Sequence, residues 1–292
     1  MNYDVKLENK IDEVVEELFN KAYENLYELN CTAYISKEPL TFENRLDGKK
    51  TVLAVNDKWA EEVFDCAWFH ITGDLPKDAA EDKIVFLINC GGEGLICDRD
   101  GIEKQCITCF ASDFDYSLGM PVKKVVLNHR LTANGKVDFW IDCAANDLFG
   151  KMKNDSRMSE LSLAIINPEI RALAYDLQVL MSVFDSCERG DFEKKIWDIV
   201  NEAIVDINNI TEEKAAALRE QLSPLLQTQN DGEVFTYSAV GHAHLDLAWL
   251  WPLRESVRKG ARTFSTQIMN IERYPDYIFG ASQAQLYDWM FT

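Results

Sequence analysis

The chain has 292 residues, a length typical of about two domains. With 47% hydrophobic and 27% charged residues, its composition is that of a globular protein and excludes an intrinsically disordered one. A formal net charge of −19 argues against nucleic acids and anionic membrane surfaces as partners.

The acidic excess lies entirely in the first part of the chain. Residues 234–292 contain five basic and five acidic side chains, so residues 1–233 carry all of the surplus negative charge. This shift in composition predicts a domain boundary near residue 230.

The sequence also indicates the cell compartment in which the protein is found. The first ten residues lack the apolar core of a signal peptide, and no run reaches the roughly 18 apolar residues of a membrane span. Eight cysteines, mostly in apolar strand-like segments, are typical of buried thiols in a reducing compartment. Cys106 and Cys109 could also form a metal or redox pair, but a structural role in a strand is favoured. We therefore predict a cytoplasmic protein.

The N-terminal half is predicted to change from helix to sheet. Apolar residues at steps of three and four predict a helix over residues 7–29, within a helical and irregular segment 1–60. Residues 61–150 contain about six short strands, and Asp-Gly and Asn-Gly turns at 100–101 and 134–135 separate some of them. This spacing predicts an antiparallel β-sandwich. Trp59, Trp68 and Trp140 could stack on a sugar but are expected in the core.

Residues 151–230 are predicted to form a helical layer or linker. Asn167 is a plausible N-cap, with Pro168 at the first helical position. Two further helices follow, the last opened by Thr211 and running to about Leu226. The apolar stripes of these helices indicate that they pack against one another in a hydrophobic core.

A polar motif follows the boundary. Residues 235–240 are predicted to form a short buried strand, and continuing it to Asp246 would place His242, His244 and Asp246 on one face. Imidazole nitrogen and carboxylate oxygen are ordinary zinc ligands, although a hydrogen-bonded His–Asp pair without a metal is the alternative. A helix from Pro252, a strand at 277–282 and a helix at 285–290 then predict a parallel β-α-β unit.

The run from Gly241 to Phe264, which opens Gly-His-Ala-His-Leu-Asp-Leu-Ala-Trp, resembles the start of the catalytic domain of glycoside hydrolase family 38 α-mannosidases. Phe279 to Trp289 also fits, and the likeness is greatest to the cytosolic and vacuolar branch. The resemblance implies a multi-domain chain: an N-terminal β-sandwich, a helical segment, and the start of a barrel-like α/β catalytic domain over 234–292. It also implies a mannose-containing oligosaccharide as substrate.

The resemblance also assigns roles to residues. It makes His244 and Asp246 ligands of a catalytic Zn²⁺ that holds the 2- and 3-hydroxyls of mannose, and Trp249 a wall of the sugar subsite. His242 is expected only to hydrogen-bond near the metal ligands. The nucleophilic aspartate of this retaining family lies about a hundred residues further on. No catalytic residue is therefore expected in this chain, which we interpret as an N-terminal portion that is inactive alone.

Two other readings stay open from the sequence. A different metal-dependent hydrolase, such as a deacetylase, could share the His-x-Asp start. A non-catalytic carbohydrate-binding or oligomerisation module would be consistent with the β-sandwich and the missing nucleophile. Assembly of the chain with copies of itself is also left open.

Overall fold

A computed structural model describes residues 3–109, 124–128, 130–152, 154–184, 191–227 and 237–291. The chain forms two compact units: a helical one that contains residues 3–25 and 164–227, and a β-rich one that contains most of 26–163 together with 237–291. In the described part of the chain, no helix has both the length and the apolar character required to cross a membrane.

The described residues of the helical unit form four helices: α1 (Tyr3–Lys21), α2 (Pro168–Phe184), α3 (Asp191–Asp206) and α4 (Glu212–Leu226). Their apolar stripes form one buried cluster, which includes Ile11, Leu18, Leu173, Leu177, Ile196, Leu218 and Leu222. Both predicted caps are present. Ile170 N donates to Asn167 Oδ1 at 3.0 Å, and Lys214 N donates to Thr211 Oγ1 at 3.2 Å.

The helix predicted over 7–29 is wrong in its last two turns. α1 ends at Lys21, and residues from Tyr23 continue as a strand. The amide of Asn167 donates to the carbonyl of Ala22 at 2.7 Å, and Leu29 N donates to Leu161 O at 3.0 Å. Backbone pairing with a distant strand therefore overrides the local helical periodicity.

In the β-rich region, the part of the chain that the structure describes forms eleven strands: β1 (Tyr23–Glu28), β2 (Asn30–Ser36), β3 (Lys49–Leu53), β4 (Cys66–Asp74), β5 (Ile84–Asn89), β6 (Glu93–Asp98), β7 (Glu103–Thr108), β8 (Val125–Leu127), β9 (Thr132–Ala133), β10 (Lys136–Ala144) and β11 (Glu160–Ile166). One sheet has the order β1-β11-β5-β8, and the other has the order β3-β2-β4-β10-β6-β7, with β9 beside β10.

The two sheets form the predicted sandwich. Phe86 of the first sheet and Phe139 of the second are fully buried, with ring centroids 5.1 Å apart. The predicted turn signals at 100–101 and 134–135 connect β6 to β7 and β9 to β10. The sandwich reaches beyond the predicted range 61–150, since β1 to β3 lie in the segment predicted as helical or irregular, and β11 lies in the predicted helical layer. β1 and β11 pair with each other from opposite ends of this region of the sequence, which local periodicity does not register.

The last described residues form a β-α-β-α unit: β12 (Gly241–His242), α5 (Leu253–Arg273), β13 (Phe279–Gly280) and α6 (Ala284–Met290). β12 and β13 are parallel, with Gly241 opposite Phe279 and His242 opposite Gly280. The predicted parallel unit is therefore confirmed. The strand predicted over 235–240 is wrong where it is described: residues 235 and 236 lie outside the described residues, and 237–240 are irregular and exposed. A barrel-like domain stays a prediction.

Candidate functional site

The turn after β12 carries His244 and Asp246 side by side. His244 Nε2 lies 3.2 Å from Asp246 Oδ1, and the two side chains are 73% and 43% exposed. The expectation that they share a strand face is wrong because β12 ends at His242. The turn itself brings the two groups together, and it leaves both accessible to a ligand.

Hydrogen bonds from neighbouring elements hold the backbone of this turn. Gln283 Nε2, just before α6, donates to the carbonyl of Leu245, and Ser256 Oγ of α5 donates to the carbonyl of Leu247. Trp251 Nε1 in turn donates to Ser256 Oγ at 3.0 Å. The carbonyls on either side of Asp246 are therefore anchored by side chains of the α/β unit.

Gly241 is required where the two parallel strands meet. A Cβ atom at this position would lie 2.4 Å from the hydroxyl oxygen of Tyr277. That hydroxyl donates to Gln267 Oε1 at 2.6 Å, so Tyr277 is itself fixed against α5. The glycine that opens the motif is thus explained by close packing.

The other predicted residues of the motif lie around this pair. His242 is exposed in β12, and its expected hydrogen bonding near the metal ligands stays a prediction. Trp249 is 57% exposed, with its ring edge-on to those of Trp251 at 5.7 Å and Phe149 at 6.3 Å. Trp251 is buried, as expected of a core residue. The motif therefore presents one accessible indole next to the imidazole and the carboxylate.

The separation of the two donor atoms is compatible with a shared metal ion. Two ligands bound tetrahedrally to zinc at roughly 2.0–2.1 Å are about 3.3 Å apart. The observed 3.2 Å fits that value, and it equally fits a direct hydrogen bond. Within the described ranges, no group of three or more His, Cys, Asp or Glu side chains is arranged to hold a metal. This part of the chain therefore offers two ligands of a site that needs three or four.

The tryptophans of the sandwich are core residues, as predicted. Trp59, Trp68 and Trp140 are all buried. The indole N–H groups of Trp59 and Trp68 donate to the carbonyls of Cys90 and Leu40 at 2.7 and 2.9 Å. Because their rings are covered, they provide no stacking platform for a sugar.

The structure favours a structural role for Cys106 and Cys109 over a metal or redox role. None of the seven cysteines in the described ranges forms a disulfide. Cys109 does not have the low pKa of a reactive thiol, since burial raises its pKa to about 12. A protonated, half-buried thiol is a poor metal ligand and a poor nucleophile.

Burial of the charged first turns of α5 was not predicted from the sequence. Arg258, Lys259 and Arg262 face carboxylates of the sandwich, including Glu93 and Asp142. The only local signal is the spacing of Glu255, Arg258 and Arg262, which places the three on one side of a helix. Such spacing is equally common on solvent-exposed helices.

Comparison with known proteins identifies two matching regions. Residues 27–180 match the family model described as the jelly roll domain of alpha-mannosidase. Residues 234–292 match the model of the N-terminal domain of glycosyl hydrolases family 38. The first match covers the sandwich, and the second covers the turn with His244 and Asp246.

Several curated proteins are similar over most of this chain. Alpha-mannosidase 2C1 of Mus musculus is 26% identical over 277 residues, which are 90% of this chain and 25% of that protein. Alpha-mannosidase G of Dictyostelium discoideum is 31% identical over 76% of this chain and 21% of its own length. An alpha-mannosidase of Saccharomyces cerevisiae is 26% identical over 76% of this chain and 22% of its own length. The chain thus spans no more than a quarter of the length of these relatives.

Proposed function

The chain belongs to the glycoside hydrolase family 38 α-mannosidases, and on that premise we propose that it forms part of a zinc-dependent enzyme that removes terminal α-D-mannosyl residues from oligosaccharides with retention of configuration. One observation carries the proposal: an exposed imidazole nitrogen and carboxylate oxygen lie 3.2 Å apart beside an exposed tryptophan. Metal ligands and a sugar-stacking surface are the two components that such a subsite needs.

His244 and Asp246 would hold the metal through Nε2 and Oδ1. When bound, Zn²⁺ supplies positive charge that binds the vicinal cis hydroxyls of mannose. The anchored carbonyls of Leu245 and Leu247 keep the two side chains at their separation, so the turn is organised before a ligand arrives. The exposure of His244 leaves room for the sugar next to the two ligands.

Trp249 would form one wall of the sugar subsite. Its exposed indole offers a flat apolar face to the C–H bonds of a pyranose ring. Buried Trp251 supports it edge-on, which fixes the orientation of the accessible ring.

A retaining glycosidase also needs two carboxyl groups about 5 Å apart. Glu255 does not suit either role, since it is buried and paired with Arg258 and Arg262. Burial alone would raise the pKa of Glu255, but the two guanidinium charges outweigh it and the pKa is lowered. An acid of this kind stays ionised and gives up no proton near neutral pH. The family resemblance implies that the nucleophile lies further along the sequence than the residues of this chain.

We also propose a cytoplasmic location. Cys90 Sγ and Cys143 Sγ lie only 3.2 Å apart in the core and form no disulfide. Thiols so close to one another stay reduced in a compartment that glutathione keeps reducing.

Zinc binding and hydrolysis test the proposed function directly. In the full-length protein, His244→Ala and Asp246→Ala should each lower hydrolysis of an aryl α-mannoside by about a hundredfold or more, because each removes a zinc ligand. The 292-residue chain should bind Zn²⁺ weakly, and either substitution should abolish that binding.

The sandwich supplies a matched control. His70 Nε2 lies 2.8 Å from Asp138 Oδ1, a second His–Asp pair away from the turn. His70→Ala should leave zinc binding and hydrolysis unchanged. Robust hydrolysis by the 292-residue chain alone, or zinc binding that survives both substitutions in the turn, would contradict the proposal.

A further inference from the structure

Three cationic side chains of α5 are buried. Arg258, Lys259 and Arg262 are only 8%, 5% and 3% exposed. Removing a charge from water costs several kcal/mol per ion unless partners replace the lost hydration. A helix that only had to cover the sandwich would do so with apolar residues, so these three charges require an explanation.

The partners come from the outer face of the larger sheet. Arg258 forms a two-pronged pair with Asp142 of β10, with Nη2–Oδ1 and Nε–Oδ2 distances of 2.5 and 3.1 Å. Glu93, the first residue of β6, is buried, and its Oε2 accepts from Lys259 Nζ at 2.5 Å and from Arg262 Nη1 at 3.2 Å. Each prong fixes a direction as well as a distance, which apolar packing does not.

Glu93 is the centre of this arrangement. Besides the two cations of α5, its Oε2 accepts from Asn146 Nδ2 at 3.4 Å. Glu255 closes the group from the helix side, accepting from Arg262 at 2.5 Å and from Arg258 at 3.2 Å. Glu93 and Asp142 of the sandwich thus together determine which side of α5 faces the sheet.

The same carboxylate is connected to the turn that carries His244 and Asp246. Lys259 Nζ, held by Glu93, lies 4.6 Å from the centre of the Trp251 ring. Trp251 donates to Ser256, and Ser256 donates to the carbonyl of Leu247, the residue after Asp246. The series of contacts runs from the sandwich to the backbone of the turn without a gap.

We propose that Glu93 is a positioning residue for the zinc ligands: through Lys259, Trp251 and Ser256 it holds the turn in the conformation in which His244 and Asp246 share a metal. The jelly roll thereby contributes to the geometry of the catalytic domain. This inference rests on the proposed zinc site, and it adds a residue that touches neither metal nor sugar.

Zinc affinity of the 292-residue chain tests the inference. Glu93→Gln keeps the shape of the side chain and removes its charge, so Lys259 loses its anchor and the turn loses its restraint. We expect the dissociation constant for Zn²⁺, measured by isothermal titration, to rise about tenfold, as for other groups that orient metal ligands. The substitution Asp138→Asn on the same face of the sheet is the control, and it should leave the constant unchanged.

A second variant guards against a folding defect in Glu93→Gln. Lys259→Met removes only the ammonium group between Glu93 and Trp251, while Arg262 still pairs with Glu93. It should raise the Zn²⁺ dissociation constant by a similar factor, and Lys259→Arg should restore most of the affinity. A purely structural role would lower the melting temperature in each case and leave the affinity of the folded protein as it was.

The outcomes separate the two proposals. Failure of the unsubstituted chain to bind Zn²⁺ overturns the proposed function and this inference with it. If the unsubstituted chain binds Zn²⁺ and folded Lys259→Met binds it equally well, only the positioning role of Glu93 is overturned.

Discussion

The interior of the sandwich and the contact of α5 with its outer face are built from opposite kinds of side chain. Phe69, Phe86 and Phe139 fill the space between the sheets without a polar atom. Under α5, by contrast, Arg258, Lys259 and Arg262 meet Glu93 and Asp142. Apolar packing supplies cohesion with little direction, whereas paired charges supply direction at a considerable desolvation cost. The comparison suggests a division of roles: the apolar interior stabilises the sandwich, and the charged contact under α5 orients the helix that follows the turn with His244 and Asp246.

The largest expected effect lies in the sandwich interior. Phe139→Ala removes a fully buried ring and should lower the free energy of unfolding by about 4 kcal/mol, since cavity formation adds to the lost transfer energy. Urea denaturation followed by circular dichroism measures the change. A loss below about 1 kcal/mol would mean that the two sheets do not share one core.

The charged contact should be nearly as sensitive to the loss of one partner. Arg258→Met leaves the largely covered Asp142 carboxylate without its two-pronged partner and should cost about 3 kcal/mol. Adding Asp142→Leu should recover much of that loss, because an apolar pair of similar size avoids desolvation. As a control, Lys58→Met removes an exposed partner of Glu61 and should change the unfolding free energy by less than about 0.5 kcal/mol.

Acid should weaken the charged contact and leave the sandwich interior largely unaffected. The pKa of Glu255 is lowered in the folded chain, because the charges of Arg262 and Arg258 outweigh the effect of burial. Its contribution to stability is therefore complete above the ordinary value of 4.5 and is lost as pH falls through the folded-state pKa. The difference in melting temperature between the unsubstituted chain and Glu255→Gln should be largest near pH 7. A difference that stays constant down to pH 3 would contradict this assignment.

The smallest effect is expected at the His–Asp pair of the sandwich. His70 and Asp138 are partly exposed, and such pairs contribute at most about 1 kcal/mol. Asp138→Asn should therefore shift the urea midpoint only slightly, although the N–O distance between His70 and Asp138 is shorter than that between His244 and Asp246. A loss of several kcal/mol in unfolding free energy would contradict this prediction and would show that the pair contributes as much as the buried charges of α5.

Sequence reasoning succeeded where a signal is local. The alternation of short strands with Asp-Gly and Asn-Gly turns predicted the sandwich, and the caps at Asn167 and Thr211 predicted two helix starts. It failed at β1 to β3 and at β11, of which β1 and β11 pair across a long stretch of sequence, and it placed the strand of the motif too early. His244 and Asp246 were predicted correctly as neighbours for an incorrect reason, since a turn and not a strand face brings them together.

By itself, the sequence determined most strands of the sandwich, the starts of two helices and the side-chain types of the motif, because these follow from periodicity, turn residues and side-chain type within a few positions. Only the tertiary structure decided which charges are buried. Glu93 and Lys259 are 166 residues apart, and their pairing depends on α5 lying across a sheet formed by strands from the whole first half of the chain. Desolvation and Coulomb energy depend on distances in space, so no local pattern reveals whether an arginine on a helix faces water or a buried carboxylate.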